Sequence, residues 1–100
     1  MEYNKEFFAE IVNDLENNLN DDFEIEESYQ ESNFKIVINR KKIINSEIFG
    51  LEINISNSFL LDVVVIDPNG DIVDFVNQKH SNQKELVSEI FKILNKHLKF

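Results

Sequence analysis

The chain contains no cysteine and no tryptophan, and only one proline, one arginine, one alanine and two glycines. Without cysteine there is no disulfide, no thiolate nucleophile and no thiolate-held zinc or iron–sulfur site, and nothing calls for an oxidising compartment. Two glycines do not make a Gly-rich phosphate cradle, and the Gly-x-Ser-x-Gly turn of serine hydrolases is missing. The longest mostly apolar run, Phe59 to Ile66, falls well short of the roughly 20 residues that cross a bilayer. The opening Met1-Glu2-Tyr3-Asn4-Lys5-Glu6 lacks the basic-then-apolar order of an export signal. The expectation is a soluble, cytoplasmic protein of a bacterial or phage-infected cell, with no membrane partner. Positive charge is also scarce: 10 Lys and Arg against 19 Asp and Glu leave a net charge of -9, which opposes direct binding to nucleic acid.

What is present is enough for one small core. The 100 residues are 42% hydrophobic and include nine Phe, which argues for a single ordered domain over residues 1–100. Fourteen Asn and thirteen Ile are what AT-rich codons produce, pointing to a low-GC bacterium or its phage. Asn is a poor helix former, so helices in this chain must be held by packing.

Phe7, Phe8, Ile11, Val12, Leu15 and Leu19 recur at helical spacing with Glu6, Glu10, Asp14 and Asn17 opposite, predicting a first helix from about Asn4 to Leu19. From Phe23 the period becomes two. Phe23, Ile25 and Tyr29, then Phe34, Ile36 and Ile38, read as a hairpin joined through Gln30 to Asn33. Arg40 to Glu47 reads as a connection, and Phe49, Leu51, Ile53 and Ile55 as a third strand. Asn57-Ser58 reverses the chain into a strand from Phe59 to Ile66, and Asp67-Pro68-Asn69-Gly70-Asp71 is a turn into a fifth strand, Ile72 to Val76. Asn82 has capping-box spacing to Glu85, and Leu86, Val87, Ile90, Phe91, Leu94 and Leu98 form the stripe of a second helix. Lys92, Lys96 and Lys99 complement its dipole.

The resulting fold class is α+β: a five-stranded antiparallel meander sheet with N- and C-terminal helices packed on one face, in the order α-β-β-β-β-β-α. The core face carries the alternating Phe, Ile, Leu and Val residues from Phe23 to Val65. The other face presents Glu24, Glu26, Lys35, Asn39, Glu52, Asn54, Asp62 and Asp74, interrupted by Val37, Leu60, Val64 and Ile66. Leu60, Val64 and Ile66 on a face open to water raise the possibility of a partner contact or of a homodimer through that face, the alternative being cover from the Arg40 to Glu47 connection.

Motifs for chemistry fail one by one. Asp67, Asn69, Asp71 and Asp74 suggest calcium, but an EF-hand needs Gly at position six and Glu at twelve, where Gly70 is fourth and Gln78 twelfth. His80 falls in a polar loop and His97 in the last helical turn, without metal-ligand spacing. Glu24 and Glu26 share a strand face with no pocket to raise either pKa. No cofactor, metal or catalytic residue is expected, and the chain reads as non-enzymatic.

The acid is unevenly placed. Residues 1–31 hold eleven of the nineteen carboxylates against the single cation Lys5, a local balance of -10; the rest of the chain is at +1. The candidate contacts are therefore Glu6, Glu10, Asp14, Asp21, Asp22, Glu24, Glu26, Glu27 and Glu31, joined by Leu60, Asp62, Val64 and Ile66 on the sheet. Such a surface suits a protein partner with a basic groove. The function expected is that of an inhibitor or nucleic-acid mimic of the phage anti-CRISPR or anti-restriction kind. The alternatives are an immunity protein or antitoxin against a basic nuclease toxin, and a small acidic dimeric secretion chaperone.

Overall fold

The computed structural model describes residues 5–19, 21–30, 33–42, 48–56 and 59–98, with the side chains of Lys5, Phe7, Phe8 and Gln30 left aside. Its elements are α1 (Lys5–Asn18), β1 (Phe23–Gln30), β2 (Asn33–Arg40), β3 (Gly50–Ile55), β4 (Leu60–Ile66), β5 (Ile72–Lys79) and α2 (Gln83–Leu98). The strands form one antiparallel sheet in the order β1-β2-β3-β4-β5, the meander expected from the alternation. Asn57-Ser58, Glu31, Lys99 and residues 43–47 of the expected connection lie outside the described residues.

Period-two alternation sends one set of side chains inward. Phe34, Ile36 and Ile38 of β2 stand opposite Ile55, Ile53 and Leu51 of β3, which stand opposite Leu61, Val63 and Val65 of β4. All nine are buried, in one cluster with Ile11, Val12 and Leu15 of α1 and Leu86, Ile90, Ile93 and Leu94 of α2. Both helices therefore pack on the same face of the sheet. Removing such side chains from water is worth about 1.5–3 kcal/mol each and holds two helices of mediocre propensity in place.

Local chemistry sets the ends. Asn82 caps α2, its side-chain oxygen accepting the Glu85 N–H at 2.9 Å. At the Asp67 turn, Gly70 donates its N–H to the Asp67 carbonyl at 3.0 Å, and the Asp67 carboxylate accepts the N–H groups of Asn69 and Asp71, each at 2.9 Å. Gly70 takes the left-handed position at φ 87°. This is a type I turn followed by a left-handed residue, the geometry that lets a three-residue loop close a hairpin.

Four expectations need correction. Phe59, read as the first residue of a strand, lies in the β3–β4 turn at φ 60°, donating its N–H to Ser56 at 3.2 Å and accepting the His80 N–H at 3.0 Å. A left-handed backbone costs a non-glycine residue about 1–2 kcal/mol; the Phe59 ring, packed against the core, offsets it. Arg40, read as loop, ends β2, its guanidinium 4.7 Å over the Phe23 ring and its Nε donating to the Ile48 carbonyl at 2.7 Å. β5 runs to Lys79 rather than Val76, because nothing between Phe75 and Lys79 breaks an extended chain. Asp74 is on the helix-covered face, not the open one. A bulge between Val65 and Ile66 pairs Val65 with Asp74 but Ile66 with Ile72, so the alternation of β5 slips by one residue.

Candidate functional site

The register lays the open face out as rows running from β1 to β5. Glu24, Asn39, Gly50, Ile66 and Ile72 form one row. The next holds Glu26, Val37, Glu52, Val64 and Phe75; the third, Ser28, Lys35, Asn54, Asp62 and Asn77. Leu60 is across from Lys79 at the far end of β4. The face is thus acidic at the β1 end of its first two rows, apolar at the β5 end of the same rows and polar along the third. Leu60, Asp62, Val64 and Ile66 share this face as their spacing implied, and each is half-buried.

The β5 corner gains from the bulge. Ile72, Val73 and Phe75 are 64%, 50% and 57% exposed, so Val64 and Ile66 border a contiguous apolar corner instead of standing alone. Ile72 and Phe75 were not among the contacts read from the sequence, because strict alternation puts them on opposite faces. The absence of Gly and Pro from Phe75 to Lys79 was a signal for the longer strand; no local pattern marks the bulge.

The acidic residues occupy a different shape. The C-terminal turn of α1 lies beside β1: Glu16, Leu19, Asp21, Phe23, Ile25 and Lys41 line one hollow of about 210 Å³. Glu6, Glu10 and Asp14 are exposed on α1, Asp21 and Asp22 on the turn, and Glu24, Glu26 and Glu27 on β1. They do not share one plane. Glu24 and Glu26 point to the open face, while Glu27, opposite the buried Ile36, projects on the helix side. Glu16 and Asp21, at the C-terminal end of α1, come beside β1 and its exposed carboxylates, an acidic ridge at this side of the sheet. Glu31 is outside the described residues.

The opposite edge holds a compact polar cluster. His97 Nε2 donates to Asp74 Oδ2 at 2.7 Å, Lys96 Nζ reaches the same oxygen at 3.1 Å, and the Phe75 N–H donates to Asp74 Oδ1 at 2.8 Å. The His97 bond first, then those from Lys96 and the Phe75 backbone, lower the Asp74 pKa from the ordinary 3.8 to about 2. This cluster ties the end of α2 to β5. His97, read as a dipole-favoured residue at a helix end, is in addition an anchor. His80, read as a solvated loop residue, is half-buried, with Nε2 shielded and without a hydrogen-bond partner.

No described group of three or more His, Asp or Glu side chains is placed to hold a metal ion, and no helix formed by the described residues is long and apolar enough to cross a membrane. Fold and surfaces define an α+β open-faced meander with one acidic edge. The chain matches no protein family, no curated protein and no solved structure.

Proposed function

We propose that this chain is a non-enzymatic acidic protein-binding module, an inhibitor that sets carboxylates where a nucleic acid sets phosphates and so occupies the basic groove of a nucleic-acid-processing protein. One observation supports the reading: Glu16 and Asp21 at the C-terminal end of α1 line one hollow with β1, and Glu24, Glu26 and Glu27 of β1 are exposed. A surface dense in one sign of charge complements a groove of the other sign, steering encounter and favouring the matched partner over others. Crowding like charge onto one edge lowers the stability of the free protein, an arrangement that a cationic partner reverses.

The test is capture of partners from a low-GC bacterial lysate at low and high salt, by the wild type and by a variant carrying D21N, D22N, E24Q, E26Q and E27Q. Proteins held at low salt, released by duplex DNA and not held by the variant are the expected result. Partners retained by the variant, or a salt response that does not change, reject the proposal. The apolar corner at Ile72 and Phe75 favours a second reading, a small acidic secretion chaperone that dimerises through its open face. A monomer at high concentration in analytical ultracentrifugation discards it.

A further inference from the structure

The polar third row of the open face and the strand ends beyond it surround a hollow of about 440 Å³ lined by Asp62, Lys35, Asn54, Ser28 and Leu60 among others, within the size range of pockets that take small groups. Three features define its chemistry. Asp62 holds one carboxylate oxygen, Oδ1, shielded from solvent and without a hydrogen-bond partner. The nearest cation in the row, Lys35, is turned aside into an ion pair with Glu52 at 2.7 Å. The neighbours of Asp62 across the strands, Asn54 and Asn77, offer neutral amide groups. A carboxylate that is partly desolvated and lacks a counter-ion attracts a cation more strongly than one in water, because the field is less screened and the desolvation has already occurred in the fold.

We propose that this hollow receives an arginine side chain of the protein partner. Its guanidinium would be accepted by the Asp62 carboxylate and by the neutral oxygens of Asn54 and Ser28, and its methylenes would lie along Leu60. Guanidinium suits the hollow better than an ammonium group: it is planar, weakly hydrated and carries five donors, matching a spread of acceptors beside an apolar wall. The inference rests on the reading of the protein as a binder of basic partners, and it moves the recognition point from the ridge to the face that adjoins it.

The experiment follows backbone and side-chain amide resonances of the full chain as N-acetyl-arginine methylamide is added, with the citrulline analogue as the uncharged isostere. The arginine probe is expected to shift Ser28, Lys35, Asn54 and Asp62 saturably, and both the citrulline analogue and the D62N variant should weaken binding by about tenfold. K35Q removes a neighbouring positive charge and should tighten binding by about twofold. E89Q, on α2 and so on the other side of the sheet, serves as control and should leave the probe affinity within about twofold. Asn is isosteric with Asp, and an unchanged amide spectrum away from the hollow establishes that D62N is folded. Equal binding of the citrulline analogue, undiminished binding by D62N or weakening by K35Q overturns the proposal. Failure of the probe with salt-sensitive capture intact removes the hollow and leaves the ridge. Saturable binding of the probe without capture does the reverse.

Discussion

At β1 the sheet ends in a strand bearing Glu24, Glu26 and Glu27, next to a helix that presents Glu6, Glu10 and Asp14; at β5 it ends in a strand with no net charge and with Ile72, Val73 and Phe75 exposed. Among the described residues both are free edges of an open sheet, with backbone groups able to pair with another strand. Charge guards the first, since a second strand brought against it would meet repulsion and desolvation. The second is guarded by geometry. The His80 N–H faces β4 through its bond to Phe59; in an antiparallel ladder Gln78, Val76 and Asp74 do likewise, and Phe75 then points its N–H outward. That N–H is taken by Asp74 Oδ1, and the neighbouring bulge bends the edge. One edge is thus bare and charged, while the other is capped at Phe75 and anchored to α2 through Asp74.

The largest expected effect comes from the strand that both edges depend on. A Cβ on Gly50 would overlap the Ile38 carbonyl oxygen and come within 2.9 Å of the Asn39 Cα. These are backbone atoms that cannot turn aside, so Gly50→Ala should cost about 3 kcal/mol or more in chemical denaturation. It should loosen β1 and β5 together by amide exchange; loss of protection at one edge alone would mean that the edges are not coupled through β3.

Asp74→Asn acts on the β5 edge only. It should cost about 1 kcal/mol at neutral pH, a value kept small because Asp74 is partly exposed and Lys96 largely so. The Asp74 pKa is lowered on folding, so its stabilising contribution is present above the ordinary 3.8 and is lost as pH falls towards about 2. Denaturation midpoints measured from pH 5 down to pH 2 (roughly the interval over which such a carboxylate titrates) should fall less steeply in the variant. An identical acid limb would show that the cluster contributes nothing to the anchoring of α2.

The smallest effect belongs to the ridge and has the opposite sign. Glu6, Glu10 and Asp14 follow one another at i,i+4 spacing on an exposed helix face, where each like-charge pair costs about 0.3 kcal/mol. Replacing Glu10 and Asp14 with Gln and Asn, and leaving Glu6 in the first turn where the helix dipole favours it, should raise stability slightly at low salt, with the gain vanishing at high salt. A loss of stability would mean that these carboxylates serve the fold, which would remove the contrast between the edges.

Much of the architecture was legible because each signal was local. Ile11, Val12 and Leu15 at helical spacing, Leu51, Ile53 and Ile55 at strand spacing and the Pro68-Asn69-Gly70 turn each act within a few residues of chain. The acidic bias was equally legible, as was the placement of Glu24, Glu26, Asp62, Val64 and Ile66 on one face. Phe59 misled because its place in the turn depends on burial of its ring and on a bond to His80, which no strand propensity encodes. Asp74 and Phe75 misled for a related reason: a one-residue slip reverses every later side chain of a strand, and the slip is set by pairing with β4.

The amino-acid order alone determined the helices, the five strands, the face that β1 to β4 bury and the excess of acid in the opening third, because burial and turn chemistry act at fixed short periods. Tertiary structure alone decided that Glu16 and Asp21 come beside β1, that Asp74 meets His97 at the far end of α2, that Ile72 and Phe75 join Val64 and Ile66, and that Asp62 Oδ1 lacks a donor. Each of these depends on which strands and helices become neighbours in space, a property of pairing and packing between distant parts of the chain that no local pattern records.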